Sequence, residues 1–187
     1  MSEALRADVI VAGAGMTGAT AALALASGGL KVALIDALPL ETRLAPSFDG
    51  RASAIAYSSF RMLKAVGAGA RLEPVACRIE QILVTDGRSP GAASGGVTPF
   101  HLRFAAEEIA ARSEGEPLGY MVENRWIRAA LAEAVAASGI TVLAPARVEV
   151  VETVEADARF ARVRRADGSA VEAPLLVGAE GKNSVVL

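Results

Sequence analysis

The sequence predicts an α/β protein whose first unit is a Rossmann-like parallel sheet. Residues 8–12, DVIVA, form a short apolar run of the kind that lies buried in such sheets. Gly13, Gly15 and Gly18 follow with GxGxxG spacing and open an alanine-rich helical segment. The run KVALIDA then predicts a second strand, which ends at Asp36, 23 residues after the first glycine.

The glycine turn has the chemistry of a dinucleotide-binding site. Gly13 permits a tight bend, and Gly15 lets a pyrophosphate approach the backbone without meeting a Cβ atom. Gly18 lets the helix pack closely against the strand. The amides of Met16 and Thr17 would lie at the helix N-terminus, where orphan N–H groups and the helix dipole attract phosphate. The alternative is a glycine turn that only caps a helix, followed by a surface carboxylate.

Composition limits the class of protein. The chain has 187 residues and is 52% hydrophobic, enough for one sizeable core or one domain with part of another. A net charge of -2 and 4% aromatic residues give no support to a nucleic-acid partner. The chain has neither an apolar run of 18 residues nor an N-terminal signal pattern. A single cysteine, Cys77, excludes an internal disulfide and is expected to be a small core residue. A cytoplasmic protein is expected.

A second helical stretch is predicted in RASAIAYSSFRMLKAVGA. Asp49 and Arg51 stand at its entrance. On local evidence alone, Arg51 is either a solvated charge near a helix start or a ligand-binding group. The apolar residues at near-helical spacing are Ala54, Ile55, Leu63 and Val66.

Beyond this stretch the pattern predicts a pair of strands outside the dinucleotide unit. The first runs from residue 76 to 86, and the second lies in FHLRFAAEEI. A mobile Gly/Ser/Pro-rich loop would join them. His101 is the only histidine, so neither a catalytic triad nor a histidine-rich metal site is supported. We expect it to face solvent from its strand.

The second half of the chain predicts a helix and then a sheet. The helix begins near Asn124 and is followed by a short strand, a break at Pro145 and a longer strand. A further long strand turns at Asp167-Gly168, a hairpin signal. This charge-alternating sheet should lie over the dinucleotide unit with one face in water. The run LLVG then predicts a buried strand. The apolar stripe of the helix is Ile127, Leu131 and Val135.

Four separated stretches together resemble the FAD-dependent aromatic-ring hydroxylases, and within them the branch that hydroxylates ubiquinone precursors. They are GAGMTG with Asp36, FDGRASAIAYSSFRML, LGYMVENRWIRAAL and LLVGAEGKNSVV. The resemblance implies a p-hydroxybenzoate hydroxylase-like fold, in which a Rossmann-like FAD-binding domain carries an antiparallel β excursion. Residues 1–75 and 105–187 would form that domain, and residues 76–104 would begin a substrate-domain sheet. Family members continue for about as long again, so the chain is expected to be an N-terminal half that is not active alone.

The resemblance also implies roles for residues at the cofactor. Asp36 would bind the adenosine ribose. Arg51 would reach between pyrophosphate and flavin, and Arg125 would contact the cofactor from the next helix, unless it is a plain surface charge. The residues that would hold the pyrophosphate are Gly13, Gly15, Met16, Thr17 and Gly18.

Two further positions follow from the resemblance. Val148 lies where family members recognise adenine through backbone atoms, although it could equally be an ordinary sheet valine. Glu180 stands where the family motif has Asp, which leaves open how this acid orients flavin or nicotinamide. No residue is assigned as a catalytic base, and no metal is expected.

The implied reaction consumes NAD(P)H and O₂. The reductant reduces the flavin, O₂ adds to form a flavin hydroperoxide, and its terminal oxygen attacks a phenol ring. A prenylated phenol implies peripheral contact with the inner membrane or a biosynthetic complex, and unpaired sheet edges favour a homo-oligomer. The alternatives are another FAD-dependent oxidoreductase, such as a reductase or halogenase, or a non-catalytic FAD-binding remnant. The long ALPLETRLAPSFDG excursion disfavours a plain nicotinamide dehydrogenase.

Overall fold

The computed structural model describes residues 4–44, 49–85, 101–109, 115–155, 159–182 and 184–186. Within these ranges the helices are α1 (Met16–Ser27), α2 (Glu41–Leu44), α3 (Tyr57–Ala65), α4 (Gly69–Leu72) and α5 (Asn124–Ala137). Two 3₁₀ turns cover Glu73–Val75 and Ala106–Ile109.

The strands are short and belong to four sheets. The first seven are β1 (Leu5–Arg6), β2 (Val9–Ala12), β3 (Val32–Ile35), β4 (Ala52–Ala56), β5 (Cys77–Ile79), β6 (Gln81–Thr85) and β7 (His101–Ala105). The others are β8 (Gly119–Glu123), β9 (Thr141–Leu143), β10 (Val148–Glu155), β11 (Arg159–Arg165), β12 (Ala170–Ala173) and β13 (Leu175–Gly178).

A parallel sheet in the order β13-β2-β3-β9 forms the centre of the fold. No residue of β2 or β3 is more than 3% exposed, as expected for strands covered on both faces. On one face α1 packs through Gly18, Ala19, Ala22 and Leu23, and α5 through Ile127, Leu131 and Val135. The predicted Rossmann-like unit is confirmed, and so is the apolar stripe of the long helix.

An antiparallel sheet covers the opposite face of the parallel one. Its order is β1-β12-β11-β10, with β1 added parallel to β12. The predicted hairpin turn at Asp167-Gly168 is present, and Gly168 has a φ of 80° there. The outer face of this antiparallel sheet is in water, because Arg164 is exposed and Val150 is 45% exposed. The core between the two sheets consists of Ile10, Ala12, Ala33, Ile35, Val148, Val163, Val171 and Ala173.

The second predicted helical stretch, which begins at Arg51, is wrong over its first six residues. Ala52–Ala56 form the strand β4, which pairs antiparallel with β8 in the three-stranded sheet β4-β8-β5. Ala54 and Ile55 therefore lie on a strand, and the helix starts only at Tyr57. The main-chain hydrogen bonds that β4 forms with β8, a strand distant in sequence, outweigh the helical spacing of the apolar residues in this segment.

The predicted strand from 76 to 86 is divided between two sheets. Its first part, β5, pairs with β8, and its second part, β6, pairs with β7. Cys77 is exposed on the edge strand β5, so its assignment to the core was wrong. The predicted mobile loop at 86–100 and the side chain of His101 lie outside the described residues.

The β6–β7 ribbon has one apolar face in solvent. Ile82 lies opposite Phe104 and Val84 opposite Leu102, so all four side chains share one face. They are between 43% and 64% exposed. The predicted strand pair is confirmed, and its apolar face has no cover within the described part of the chain.

The last predicted strand, β13, is present but is not buried. It is the edge strand of the parallel sheet, and its first residue, Leu175, is 50% exposed. An apolar run cannot distinguish a central strand from an edge strand, because both carry the same residue types. Among the helices that the structure describes, none has the length and apolar content needed to cross a bilayer.

Replacing Gly18 with Ala tests the packing of α1 on β2. An ideal Cβ at this position would lie 1.8 Å from the carbonyl oxygen of Gly13, so the helix would have to move. We expect the free energy of unfolding in urea to fall by at least about 2 kcal/mol. Gly139→Ala is the matched control, since its Cβ would meet no atom within 4 Å. Equal stability of the two variants would contradict the packing argument.

Candidate dinucleotide-binding site

A cleft of about 400 Å³ opens where β2 and β3 end and α1 begins. This is the place where parallel α/β sheets bind ligands, beyond the carboxyl ends of their strands. Five residues predicted from the sequence meet in it: Gly13, Gly15, Asp36, Val148 and Glu180. The other lining residues are Ile35, Ala37, Leu38, Ala146, Arg147, Ala179 and Val185.

Two of the three motif glycines are required by close backbone contacts. Gly13 has a φ of 99°, and a Cβ there would lie 2.4 Å from the carbonyl oxygen of Ala179. The contact of Gly18 with Gly13 holds the helix close to the turn. Gly15 is different, because a Cβ there would meet nothing within 4 Å and its φ of -64° suits any residue. The space beside Gly15 is therefore a cradle that a side chain would fill.

The N-terminus of α1 offers hydrogen-bond donors to this cradle. Its N-cap is Gly15, no side chain caps it, and its first turn carries no acidic residue. The orphan N–H groups and the positive end of the helix dipole are suited to a phosphate. The side chains of Met16 and Thr17 instead line an apolar groove of about 480 Å³ beside α1. These two residues therefore offer their backbone to the turn.

Asp36 is oriented by the backbone around it. Its carboxylate accepts hydrogen bonds from the amide of Ala14 at 2.5 Å and from the amide of Leu38 at 2.8 Å. Its carbonyl oxygen accepts one from Ala146 at 2.7 Å. The residue is 8% exposed and lines the cleft. A buried, fixed carboxylate at this place suits a ribose hydroxyl donor.

Val148 and Glu180 both line the cleft. The side chain of Val148 belongs to the core between the sheets, so only its backbone is offered to a ligand. The carboxylate of Glu180 accepts hydrogen bonds from Ser184 Oγ at 2.9 Å and Val185 N at 3.2 Å. It thus orders the turn after β13. Sequence reasoning missed Arg147, which has no motif signal beyond its place next to the predicted valine.

Arg51 and Arg125 do not line the cleft in the described part of the chain. Arg125 donates to Glu123 at 2.5 Å and lies over the ring of Trp126 at 5.0 Å. Arg51 donates from Nη2 to Asp49 at 2.8 Å. The residues that line this cleft therefore include five of the predicted site residues but not these two arginines.

Asp49 bridges two arginines. Arg128 of α5 donates to its carboxylate at 3.0 Å, in addition to Arg51. These contacts lower the pKa of Asp49 from 3.8 to about 2. The hydrogen bonds from Arg51 are the main cause and the contact with Arg128 is a further one, whereas partial desolvation of the carboxylate opposes the shift. Sequence reasoning placed Asp49 at the helix entrance but missed Arg128. The available signal was its position three residues after Arg125, which makes the two arginines neighbours on the surface of one helix.

The family of FAD binding domains matches residues 6–187 of this sequence. The chain belongs to that family. It is 38% identical, over 96% of its length, to the ubiquinone hydroxylase UbiL of Rhodospirillum rubrum. It is 30% identical, again over 96% of its length, to the ubiquinone hydroxylase UbiM of Neisseria meningitidis. The chain spans only 38% and 37% of the length of these two relatives.

The fold is shared with solved flavoprotein structures. A probable FAD-dependent monooxygenase of Pseudomonas aeruginosa, PqsL, superimposes with a TM-score of 0.65 at 20% identity. The alignment covers 97% of this chain and 44% of that one. These comparisons confirm the predicted p-hydroxybenzoate hydroxylase-like fold and the predicted resemblance to the ubiquinone hydroxylases.

The cleft of this FAD-binding domain fits the adenosine diphosphate half of FAD. The open cradle at Gly15 and the uncapped N-terminus of α1 suit a pyrophosphate, and Asp36 suits a ribose. Two basic side chains, Arg51 and Arg128, lie within one ion-pair cluster outside the cleft.

Gly15→Ala is predicted to separate binding from stability. The added methyl group meets no protein atom, so the free energy of unfolding should stay within about 0.5 kcal/mol of the unsubstituted chain. The methyl would keep a phosphate from the amides of α1, and losing charge-assisted bonds should weaken FAD binding by at least about 10-fold. Fluorescence titration with FAD measures the affinity, and Gly139→Ala is the control. Unchanged affinity would contradict the assignment of the cradle.

The carboxyl of Asp49 should titrate at a pH of about 2 in the folded chain. Because this pKa lies below the usual 3.8, the arginine contacts stabilise the folded state above about pH 4, and this contribution is lost as the pH falls toward 2. A carboxyl ¹³C NMR titration measures the value directly. Arg128→Gln should raise it, and a native value near 3.8 would contradict the cluster.

Proposed function

We propose that this chain is the FAD-binding part of a monooxygenase that hydroxylates an aromatic ring, with a polyprenyl phenol of ubiquinone biosynthesis as its substrate. One observation carries this proposal: a cleft lined by Gly13, Gly15 and Asp36 occurs in a chain 38% identical to a ubiquinone hydroxylase over 96% of its length. NAD(P)H is the proposed reductant and O₂ the second substrate. When bound, FAD would supply the redox and oxygen chemistry.

The cofactor is proposed to lie along the cleft with its adenosine end toward β3. Asp36 would accept a hydrogen bond from the ribose, and backbone atoms of Val148 would contact adenine. Arg51 would reach the cofactor between pyrophosphate and flavin, and Arg125 would contact the cofactor from α5. Glu180 would border the flavin side. The pyrophosphate would be held by the turn that contains Gly13, Gly15, Met16, Thr17 and Gly18.

The chain's own residues would bind and orient the cofactor rather than perform chemistry on the substrate. The bonds from the amides of Ala14 and Leu38 fix the carboxylate of Asp36. A fixed acceptor loses little freedom when the ribose arrives, so more of the interaction energy remains as affinity. Proton transfer and substrate orientation are not assigned to any side chain of the described part.

We propose a division of labour along the chain. Residues 1–75 and 105–187 form the FAD-binding domain, and residues 76–104 begin a sheet that contributes to substrate binding. The apolar face of the β6–β7 ribbon supports this, because a prenylated phenol needs apolar walls. Hydroxylation is proposed to need more polypeptide than these residues supply, since the matched part is 38% of UbiL.

Two proposals concern the surroundings of the protein. Because the proposed polyprenyl phenol is strongly apolar, we propose a cytoplasmic protein that makes peripheral contact with the inner membrane or with a ubiquinone-biosynthesis complex. The exposed edge strand β13 and the ribbon edges lead us to propose homo-oligomers at high concentration.

FAD binding by the purified chain is the first test of this function. We expect flavin fluorescence to change on titration with FAD, and ADP to compete, because the cleft recognises the adenosine diphosphate half. FMN should not compete, since it lacks adenosine. Competition by FMN without competition by ADP would place the flavin in the cleft and overturn the assignment. Absence of FAD binding would overturn the proposed function as a whole.

The hydroxylation assay distinguishes the remaining classes. The FAD-loaded chain is mixed with NADH, O₂ and a prenylated phenol, and the product is identified by mass spectrometry. We expect no hydroxylation by the 187 residues alone, and hydroxylation by a fusion to the remaining part of UbiL. NADH oxidation by the fusion without oxygen insertion would favour a reductase.

A further inference from the structure

The carboxylate of Asp49 is shared between two guanidinium groups. Its Oδ2 accepts hydrogen bonds from Arg51 Nε at 3.1 Å, Arg51 Nη2 at 2.8 Å and Arg128 Nη1 at 3.0 Å. Its Oδ1 accepts one from the backbone amide of Arg51 at 3.2 Å. Three bonds between the two residues fix both the backbone and the side chain of Arg51. Bonds of this charge-assisted kind are among the stronger ones in proteins.

The three members of the cluster differ in exposure. The side chains of Asp49 and Arg128 are 25% and 23% exposed, whereas that of Arg51 is 69% exposed. The pair of Asp49 and Arg128 is therefore the anchored end, and α5 provides the support. Arg51 is the end presented to solvent. With two cations and one anion the cluster has a net charge of +1, which favours an anionic ligand.

The backbone beside Arg51 is fixed to the start of α5. The amide of Asn124 donates to the carbonyl oxygen of Arg51 at 3.0 Å. Ser53 Oγ donates to Asn124 Oδ1 at 2.6 Å, and Asn124 is only 7% exposed. Arg51 thus extends from a backbone held on one side by Asn124 and on the other by Asp49.

Arg51 stands one residue before β4, next to the strand that faces α1. The bond from the amide of Asn124 to the carbonyl oxygen of Arg51 extends the pairing of β4 with β8 to this residue. Ser53 and Ile55 of β4 line a groove together with Met16 and Thr17 of the first turn of α1. Arg51 therefore adjoins the strand that borders the first turn of this helix.

We propose that Asp49 is a positioning residue for FAD binding, which holds the guanidinium of Arg51 in the orientation that reaches the cofactor, with Arg128 as the support of Asp49. This role rests on the proposed function. Nε and one N–H of Nη2 are used by Asp49, and Nη1 has no hydrogen-bond partner within the described residues. That outer edge of the guanidinium is the part left to an anionic group of the cofactor.

A double-mutant cycle on FAD affinity tests the proposal. The chains compared are unsubstituted, Asp49→Ala, Arg51→Ala and the double variant, and the dissociation constant for FAD is measured by fluorescence titration. If Asp49 acts through Arg51, Asp49→Ala should weaken binding by about 10-fold, and in the Arg51→Ala background it should add less than about twofold. Glu73→Ala, which removes the exposed ion pair with Lys64, is the matched control and should stay within about twofold.

Other results of the mutant cycle would overturn the proposed role of Asp49. Additive losses in the two single variants would show that Asp49 acts independently of Arg51 and would overturn the proposal. Tighter binding by Asp49→Ala would show that Asp49 competes with the cofactor for the guanidinium, and unchanged binding would show that Asp49 has no part in positioning it; either result overturns the proposal. If the unsubstituted chain binds no FAD, the proposed function fails and this role fails with it.

A measurement without cofactor examines the anchoring itself. The exchange of the Arg51 Nε–H proton with water is followed by NMR in the unsubstituted chain, in Asp49→Ala and in Arg128→Ala. We expect exchange to be at least about fivefold faster in Asp49→Ala, because the Nε–H then loses its acceptor. Arg128→Ala should give an intermediate rate, since Asp49 keeps its bonds to Arg51 but loses its support on α5. Equal rates in all three chains, each with unchanged thermal stability, would refute the anchoring.

Discussion

The close approach of two backbones at the glycine turn is the constraint on which the rest of this structure depends. The carbonyl oxygen of Gly13 occupies the space where Gly18 would carry a side chain. Only bare backbone allows α1 to begin so near the end of β2. The same turn is met from the other side by Ala179 at the end of β13. One helix and two strands are thereby brought to a single point, and Asp36, the residue after β3, lines the same cleft.

The parts of the fold that depend on local pattern could be predicted from the sequence. The β2–α1–β3 unit, α5 with its apolar stripe and the hairpin at Gly168 follow from periodicity and turn chemistry. The strand β4 could not be predicted in this way. Its residues have helical spacing, and their conformation is decided by β8, more than sixty positions later in the chain. The exposure of Cys77 and β13 likewise depends on which strands lie at sheet edges, and local sequence does not contain this information.

The residues of the candidate site likewise fall into those that could be predicted from the sequence and those that could not. The residues that meet in the cleft, such as Gly15 and Asp36, carry a motif with a physical reason for its spacing. The charged residues around Arg51 do not, because an arginine is compatible with many surfaces. Arg128 becomes visible only when α5 is placed next to the segment that carries Asp49. Long-range ion pairs therefore mark the limit of sequence reasoning in this chain, whereas glycines that touch backbone are within its reach.

The exposed ribbon of β6 and β7 has a consequence for the behaviour of the chain in solution. Within the described part of the chain, four large apolar side chains lie on one face of the ribbon, and Phe104 is half exposed there. Exposed apolar patches of this kind favour association with another apolar surface or aggregation. Because none of these four residues lines the cleft at Gly15, a ligand in that cleft should do little to keep the chain in solution, whereas an apolar surface that covers the ribbon should do so.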